Sequence, residues 1–296
     1  MNTETEPLPG VAQAPEAPTE GGTEWRGLVI GLAGLLVGLV PLVVRAASQS
    51  PGPSWDSPFN MFAYDVWLQN AVITMPWAFA GVGLHLWRRH RGPVPSRTAA
   101  LGVGMGLLLV LIASLVGLFG ELDVAGGDLK EEQQFRLMFV AFTVVGSLLL
   151  GAVSFWLLAK PNTTTFVVGT GVAYLPATSW LLALVTGLGA VGEAMLPYAP
   201  YALAAVVGLV LGRCGWKSAR KMAAWAFVLL IMTVGYAGLA WITYWVMGVS
   251  EHFVFWQALA SSLPVAGIAL AVGLVVGLMR MRREDPEVDL DQEDPR

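Results

Sequence analysis

Charge is scarce in this chain of 296 residues: only 13% are Asp, Glu, Lys or Arg, against roughly 25% in an average soluble domain. So few charges cannot clothe a soluble domain of ordinary surface, and a mean hydropathy of +0.63 leaves no room for one beside the apolar segments. Cysteine is scarcer still. Cys214 stands alone, which excludes an intramolecular disulfide. It reads as a buried structural thiol, with palmitoylation in a eukaryotic cell as the alternative. The histidines are only His85, His90 and His252. His85 and His252 are predicted near opposite faces of a membrane, about 30 Å apart at ~1.5 Å per helical residue, so they cannot share a haem or a metal. H-E-x-x-H, G-x-x-x-x-G-K-[ST], C-x-x-C and paired aspartate motifs are all missing, and with them the zinc-hydrolase, P-loop and thiol-redox chemistries they carry. No catalytic residue, cofactor-binding residue or metal ligand is therefore assigned, and the chain is not expected to be an enzyme.

What the chain has in abundance is apolar sequence. Runs at about 27–47, 66–87, 98–120, 135–159, 166–190, 195–213, 222–247 and 255–279 each approach the ~20 residues needed to cross a bilayer. The expected fold is all-α, a polytopic integral membrane bundle of about eight transmembrane helices spanning residues 25–280. An acidic, Pro-rich segment over residues 1–24 and an acidic tail over 281–296 lack apolar periodicity and are expected to be disordered. The first segment is not the basic n-region of a signal peptide, so the first span is expected to remain as an anchor. The fifth and sixth runs are separated only by Val191–Ala194 around Glu193. That spacing reads as a tight hairpin, with a re-entrant segment around residues 187–200 as the alternative.

Orientation follows from the basic residues. Arg88, Arg89, Arg91 and Arg97 follow the second run, Lys160 the fourth, Arg213, Lys217, Arg220 and Lys221 the sixth, and Arg280, Arg282 and Arg283 the eighth. The alternate connections hold only Arg45, Lys130 and Arg136, together with most of the acids. Both termini are thus expected in the cytoplasm and the protein in a plasma membrane. The Ala, Gly, Val, Leu and Arg usage suits a GC-rich bacterial gene. Topology alone accounts for the basic loops, so no nucleic-acid partner is expected.

Ionisable groups are almost absent from the predicted membrane midplane, which argues against a proton relay or a buried site for a charged solute. His85 lies by the basic edge and reads as an interfacial side chain. At the outer edge, Arg45 and Asp65 belong at the same depth and can pair. With Gln69, Asn70, Glu121 and His252 they form a candidate outer vestibule; the plainer reading is solvated loop charge. Thr170, Tyr174 and Thr178 recur every four residues around Pro176, and Gln257 and Ser261 share one side of the last run with Pro264. These six, Pro176 included but Pro264 not, are candidate pathway-lining residues; interhelical hydrogen bonding is the plainer reading. Prolines 41, 76, 176, 200 and 264 are expected to mark bends whose freed carbonyls find partners in protein or water. Gly34/Gly38, Gly102/Gly106, Gly208/Gly212 and Gly273/Gly277 have the spacing of close helix contacts. A weak match between the segments from Val82 and Val207 is compatible with a four-plus-four repeat.

The expected function is a transport component, a permease or the membrane subunit of an exporter, for a neutral or amphipathic solute. The alternative is a non-catalytic accessory, immunity or regulatory subunit of a larger complex. The bilayer is one expected partner, and a separate ATPase or other membrane subunit is the other.

Overall fold

A hydrocarbon layer offers no partners to backbone N–H and C=O groups, so a span must satisfy them within itself. Every element of this chain among the described residues is accordingly helical. The computed structural model describes residues 20–48, 66–123, 131–246 and 252–283. Asp65, Glu251, most of the N-terminal acidic segment and the C-terminal tail from residue 284 lie outside them.

The elements are α1 (Glu20–Gly38), α2 (Val40–Ser48), α3 (Val66–Arg91), α4 (Ser96–Asp123) and α5 (Glu131–Leu158). They continue with α6 (Thr163–Thr186), α7 (Ala190–Met195), α8 (Ala199–Cys214), α9 (Ala219–Leu230), a π-helical turn (Ile231–Gly235), α10 (Tyr236–Val246) and α11 (His252–Arg283). Among the described residues, six segments are long and apolar enough to cross a membrane: Glu24–Ser48, Ser96–Ala113, Val140–Leu158, Thr163–Thr186, Ala219–Ile242 and Val254–Met281. The other two runs read as spans from the sequence correspond to α3 and α8. With 26 residues α3 is long enough, but Gln69, Asn70, Thr74, His85 and its terminal arginines dilute its hydropathy. It packs on α1, α4, α5 and α6, so protein rather than lipid sets its composition. At 16 residues, α8 reaches about 24 Å, short of a ~30 Å hydrocarbon core.

Of four core clusters among the described residues, two smaller ones join α3 to α6 and the two largest follow the chain order. One gathers Ile30, Leu35, Ala80, Leu84, Val103, Leu107 and Phe155 from α1, α3, α4 and α5. The other gathers Val167, Tyr174, Val207, Leu211, Trp225, Val228 and Ala269 from α6, α8, α9 and α11. In the first half α1 packs on α3 and α4, and α3 on α5. In the second, α6 packs on α8 and α9, and α8 on α11, which repeats the same order of pairing. The glycine pairs sit at these contacts inside one chain. A Cβ on Gly34 would come within 2.6 Å of the Ala80 nitrogen, one on Gly102 within 2.8 Å of the Leu28 carbonyl, and one on Gly208 within 2.6 Å of the Ala269 carbonyl. Gly273 and Gly277 receive the rings of Trp225 and Trp216.

The first span is interrupted at Leu39, between α1 and α2. Pro41 has no N–H to return to the Val37 carbonyl four residues back, and the neighbouring Gly38 carbonyl accepts the indole N–H of Trp180 from α6 at 3.0 Å. Trp180 also meets Phe79 edge-on, with ring centroids 5.3 Å apart. Trp180→Phe keeps that ring contact and removes only the donor. It is expected to lower stability by about 1 kcal/mol in a thermal or denaturant melt of the purified protein, the scale of one interhelical hydrogen bond.

Pro200 makes no bend: it occupies the first turn of α8, where its missing N–H costs nothing. The α6–α8 connection contains the short helix α7, folded back so that Gly192 lies against the Val185 carbonyl of α6.

Candidate functional site: a cavity beneath Arg45

Leu175, Thr178, Ser179, Leu182, Ala183 and Thr186 fall at i, i+3, i+4, i+7, i+8 and i+11, so they share one face of α6. That face forms a wall of a cavity of about 300 Å³. Tyr236 and Leu239 of α10 line it too, with Leu68 from α3, and Arg45 from the last turn of α2 completes it. The placement of Arg45 depends on Gly187, which ends α6. A Cβ there would come within 3.0 Å of the Val44 side chain and 3.4 Å of the Arg45 nitrogen. Glycine thus lets the end of α2 settle against the end of α6.

The hydroxyls in the wall donate back along their own helix. Thr178 Oγ1 donates to the Tyr174 carbonyl at 3.0 Å, Ser179 Oγ to Leu175 at 3.4 Å and Thr186 Oγ1 to Leu182 at 2.9 Å. Their protons are committed, and they offer the cavity only lone pairs and methyl groups. The other polar groups in the lining are the Tyr236 hydroxyl and the Arg45 guanidinium, and Arg45 is its cation among the described residues. An apolar slot with one cation at its edge accommodates an acyl-like body and a polar or anionic head. The π-helical turn supplies the wall from α10: its extra residue shifts the helical phase, and Tyr236 is the first residue beyond it.

Of the candidate residues, the structure brings Arg45 and Thr178 to this cavity. Pro176 and Tyr174 are buried on α6, Tyr174 within the second core. Thr170 donates to the Phe166 carbonyl at 3.0 Å. Gln69 is buried, and its Oε1 has no hydrogen-bond partner among the described residues. Asn70 belongs to a polar cluster between α3 and α5, where its Oδ1 accepts from Thr74 Oγ1 at 3.0 Å and from Ser147 Oγ at 3.1 Å. Gln257 and Ser261 are exposed on α11, away from the cavity. Glu121 and His252 fall near ends of α4 and α11, and Asp65 lies outside the described residues. Ser179, Leu182, Thr186 and Tyr236 escaped the sequence reading. The hydroxyl spacing Thr178/Thr186 was a usable signal for the first three; nothing in the sequence announces the π turn that delivers Tyr236.

His85 is a fastening rather than a snorkelling side chain. Its Nδ1 lies 2.8 Å from the Lys160 carbonyl and must donate there, since a carbonyl can only accept. Its ring rests on Phe166 at 4.3 Å. Cys214 is buried. No group of three His, Cys, Asp or Glu side chains gathers as a metal site among the described residues. No protein-family model, curated protein or solved structure matches the chain.

Proposed function

We propose that the chain is a transport component of a plasma membrane, a permease or the membrane subunit of an exporter, for a neutral or amphipathic solute. The cavity beneath Arg45 carries this reading. Its volume of about 300 Å³ lies at the lower end of the range for small-molecule sites. Its apolar walls with a guanidinium at the edge favour an amphipath with an anionic head. In this reading the protein has eight spans, with α3 enclosed by its neighbours and α8 short. Both termini are cytoplasmic, in line with the alternation of basic and acidic connections. The sequence carries no P-loop, so an exporter of this design draws on a separate ATPase.

The decisive experiment is purification of the tagged chain from its native membranes in gentle detergent, with mass spectrometry of what accompanies it, followed by flux in liposomes. A stoichiometric ATPase marks an exporter subunit; a chain that emerges alone marks a permease. An NBD-labelled lysophosphatidylglycerol should then cross proteoliposome membranes faster than protein-free ones, as read by dithionite quenching. Leu182→Trp, which fills the cavity from α6, is expected to reduce that rate at least about tenfold, the equivalent of ~1.4 kcal/mol. No flux above protein-free liposomes, with or without the co-purified subunit, would remove the transport reading.

A second reading has its own support. Gln257 and Ser261 are exposed on α11 next to the exposed Trp256, and polar groups on the outer face of a membrane helix suit hydrogen bonding to another helix. A stoichiometric membrane complex without flux favours an accessory or regulatory subunit.

A further inference from the structure

At the arginine-rich end of the bundle lies a second hollow, of about 770 Å³, unconnected with the Arg45 cavity. We infer that it is a binding site for a phosphate monoester. Arg89 and His90 enter it from the end of α3, Arg213 from the end of α8 and Arg280 from the end of α11, while Thr163 comes from the first turn of α6. Three helices distant in sequence thus point cationic ends at one concavity, and the N-terminus of a fourth adds the positive end of its dipole.

Topology alone requires basic residues at this end of the bundle but does not require them to converge. Arg97 shows the ordinary arrangement: it is exposed, outside the hollow, and 3.5 Å from Glu24. Among the described residues, the hollow's lining contains no carboxylate. Its cations are instead held near one another by the fold. Arg280 Nη1 donates to the Arg213 carbonyl, which ties these two arginines to one wall. Arg88 forms the floor beside them. Its Nη1 donates to the Ala159 carbonyl at 2.8 Å, and its Nε and Nη2 donate to the Val94 carbonyl at 3.0 and 2.6 Å. Guanidinium groups suit phosphate because their paired N–H donors match its oxygens. The volume exceeds that of a lone phosphate ion and leaves space for an attached organic group, whether a lipid glycerol or a soluble metabolite.

The two sources of that chemistry separate in one titration. The full-length protein in dodecyl maltoside is titrated with dioctanoyl phosphatidic acid, with glycerol 3-phosphate and with dioctanoyl phosphatidylcholine, and binding is read as the concentration-dependent thermal shift. At least one of the two phosphomonoesters should bind, and phosphatidylcholine should not. Binding of the lipid alone assigns a headgroup site; binding of both assigns a site for the phosphomonoester itself. Arg89→Gln with Arg213→Gln should weaken binding about 25-fold, from ~1 kcal/mol, or about 5-fold, per arginine. Arg26→Gln with Arg97→Gln, which removes the same charge outside the hollow, should change it less than about 2-fold. If the first pair does not fold, Arg89→Gln alone, at an exposed side chain, should weaken binding about 5-fold. The inference is overturned if neither phosphomonoester binds, if phosphatidylcholine binds as well as phosphatidic acid, or if the variants inside and outside the hollow behave alike.

Discussion

Arg45→Gln is expected to slow translocation of an anionic amphipath at least about tenfold while leaving a neutral amphipath of equal chain length within about twofold. Gln retains hydrogen-bonding capacity and most of the reach of arginine, so the substitution isolates the charge. Near a protein surface two unit charges at 4 Å attract by about 4 kcal/mol at an effective dielectric near 20. Solvent at a partly exposed site such as Arg45 leaves a fraction of that, and ~1.4 kcal/mol already gives tenfold. The charge and the volume of the cavity make separable contributions. Leu182→Trp obstructs the slot and should slow both probes equally, whereas Arg45→Gln should discriminate between them. Equal losses for both probes in Arg45→Gln would show that Arg45 supports the fold rather than the head group. No loss in either variant would show that solute does not pass this way. A melt of each variant separates these outcomes from loss of protein.

Arg45 stood out in the sequence because it is one of the few cations in the predicted outer connections, a matter of charge counting that needs no tertiary structure. Its neighbours required one. The stripe Thr170, Tyr174 and Thr178 was visible as a four-residue repeat, but a stripe does not say which part of a helix is covered. Tyr174 is buried in the second core, and the face that lines the cavity lies about one turn further on, from Leu175 to Thr186. Tyr236 depends on the π-helical turn, a one-residue phase shift that no composition marks. Gln257 and Ser261 show the converse failure: polar residues on a membrane helix face either inward or toward a partner, and periodicity does not choose between them. At the level of the fold, the apolar runs located the helices, while the length rule described α3 and α8 least well. One is insulated from lipid by protein and the other is too short to cross alone. Hydropathy reports contact with lipid, which α3 largely lacks, whereas α8 is apolar and fails on length alone.

The largest stability effect is expected at Gly31. A Cβ there would overlap the Ala99 carbonyl of α4 and come within 3.1 Å of Gly102 Cα. These are backbone atoms of a neighbouring helix, so no rotamer change relieves the clash; α1 and α4 must move apart as units. Separation withdraws Leu35 from the core it shares with Val103 and Leu107. Gly31→Leu is therefore expected to destabilise the protein by about 3 kcal/mol, the upper part of the range for overpacking, with a clearly lowered melting temperature in detergent. Gly146 and Gly267 are the internal standards. Both are helical, and a Cβ at either meets nothing within 4 Å. Leu at those positions should leave the melt unchanged or raise it, because glycine is disfavoured in a helix by about 1 kcal/mol. The contrast also decides what the small-residue spacings are for. If they hold helices together within one chain, Gly31→Leu lowers the melt without changing the assembly state on size-exclusion chromatography. If they instead join two copies, the same substitution shifts the assembly state while the melt of the dissociated chain stays near that of the native protein.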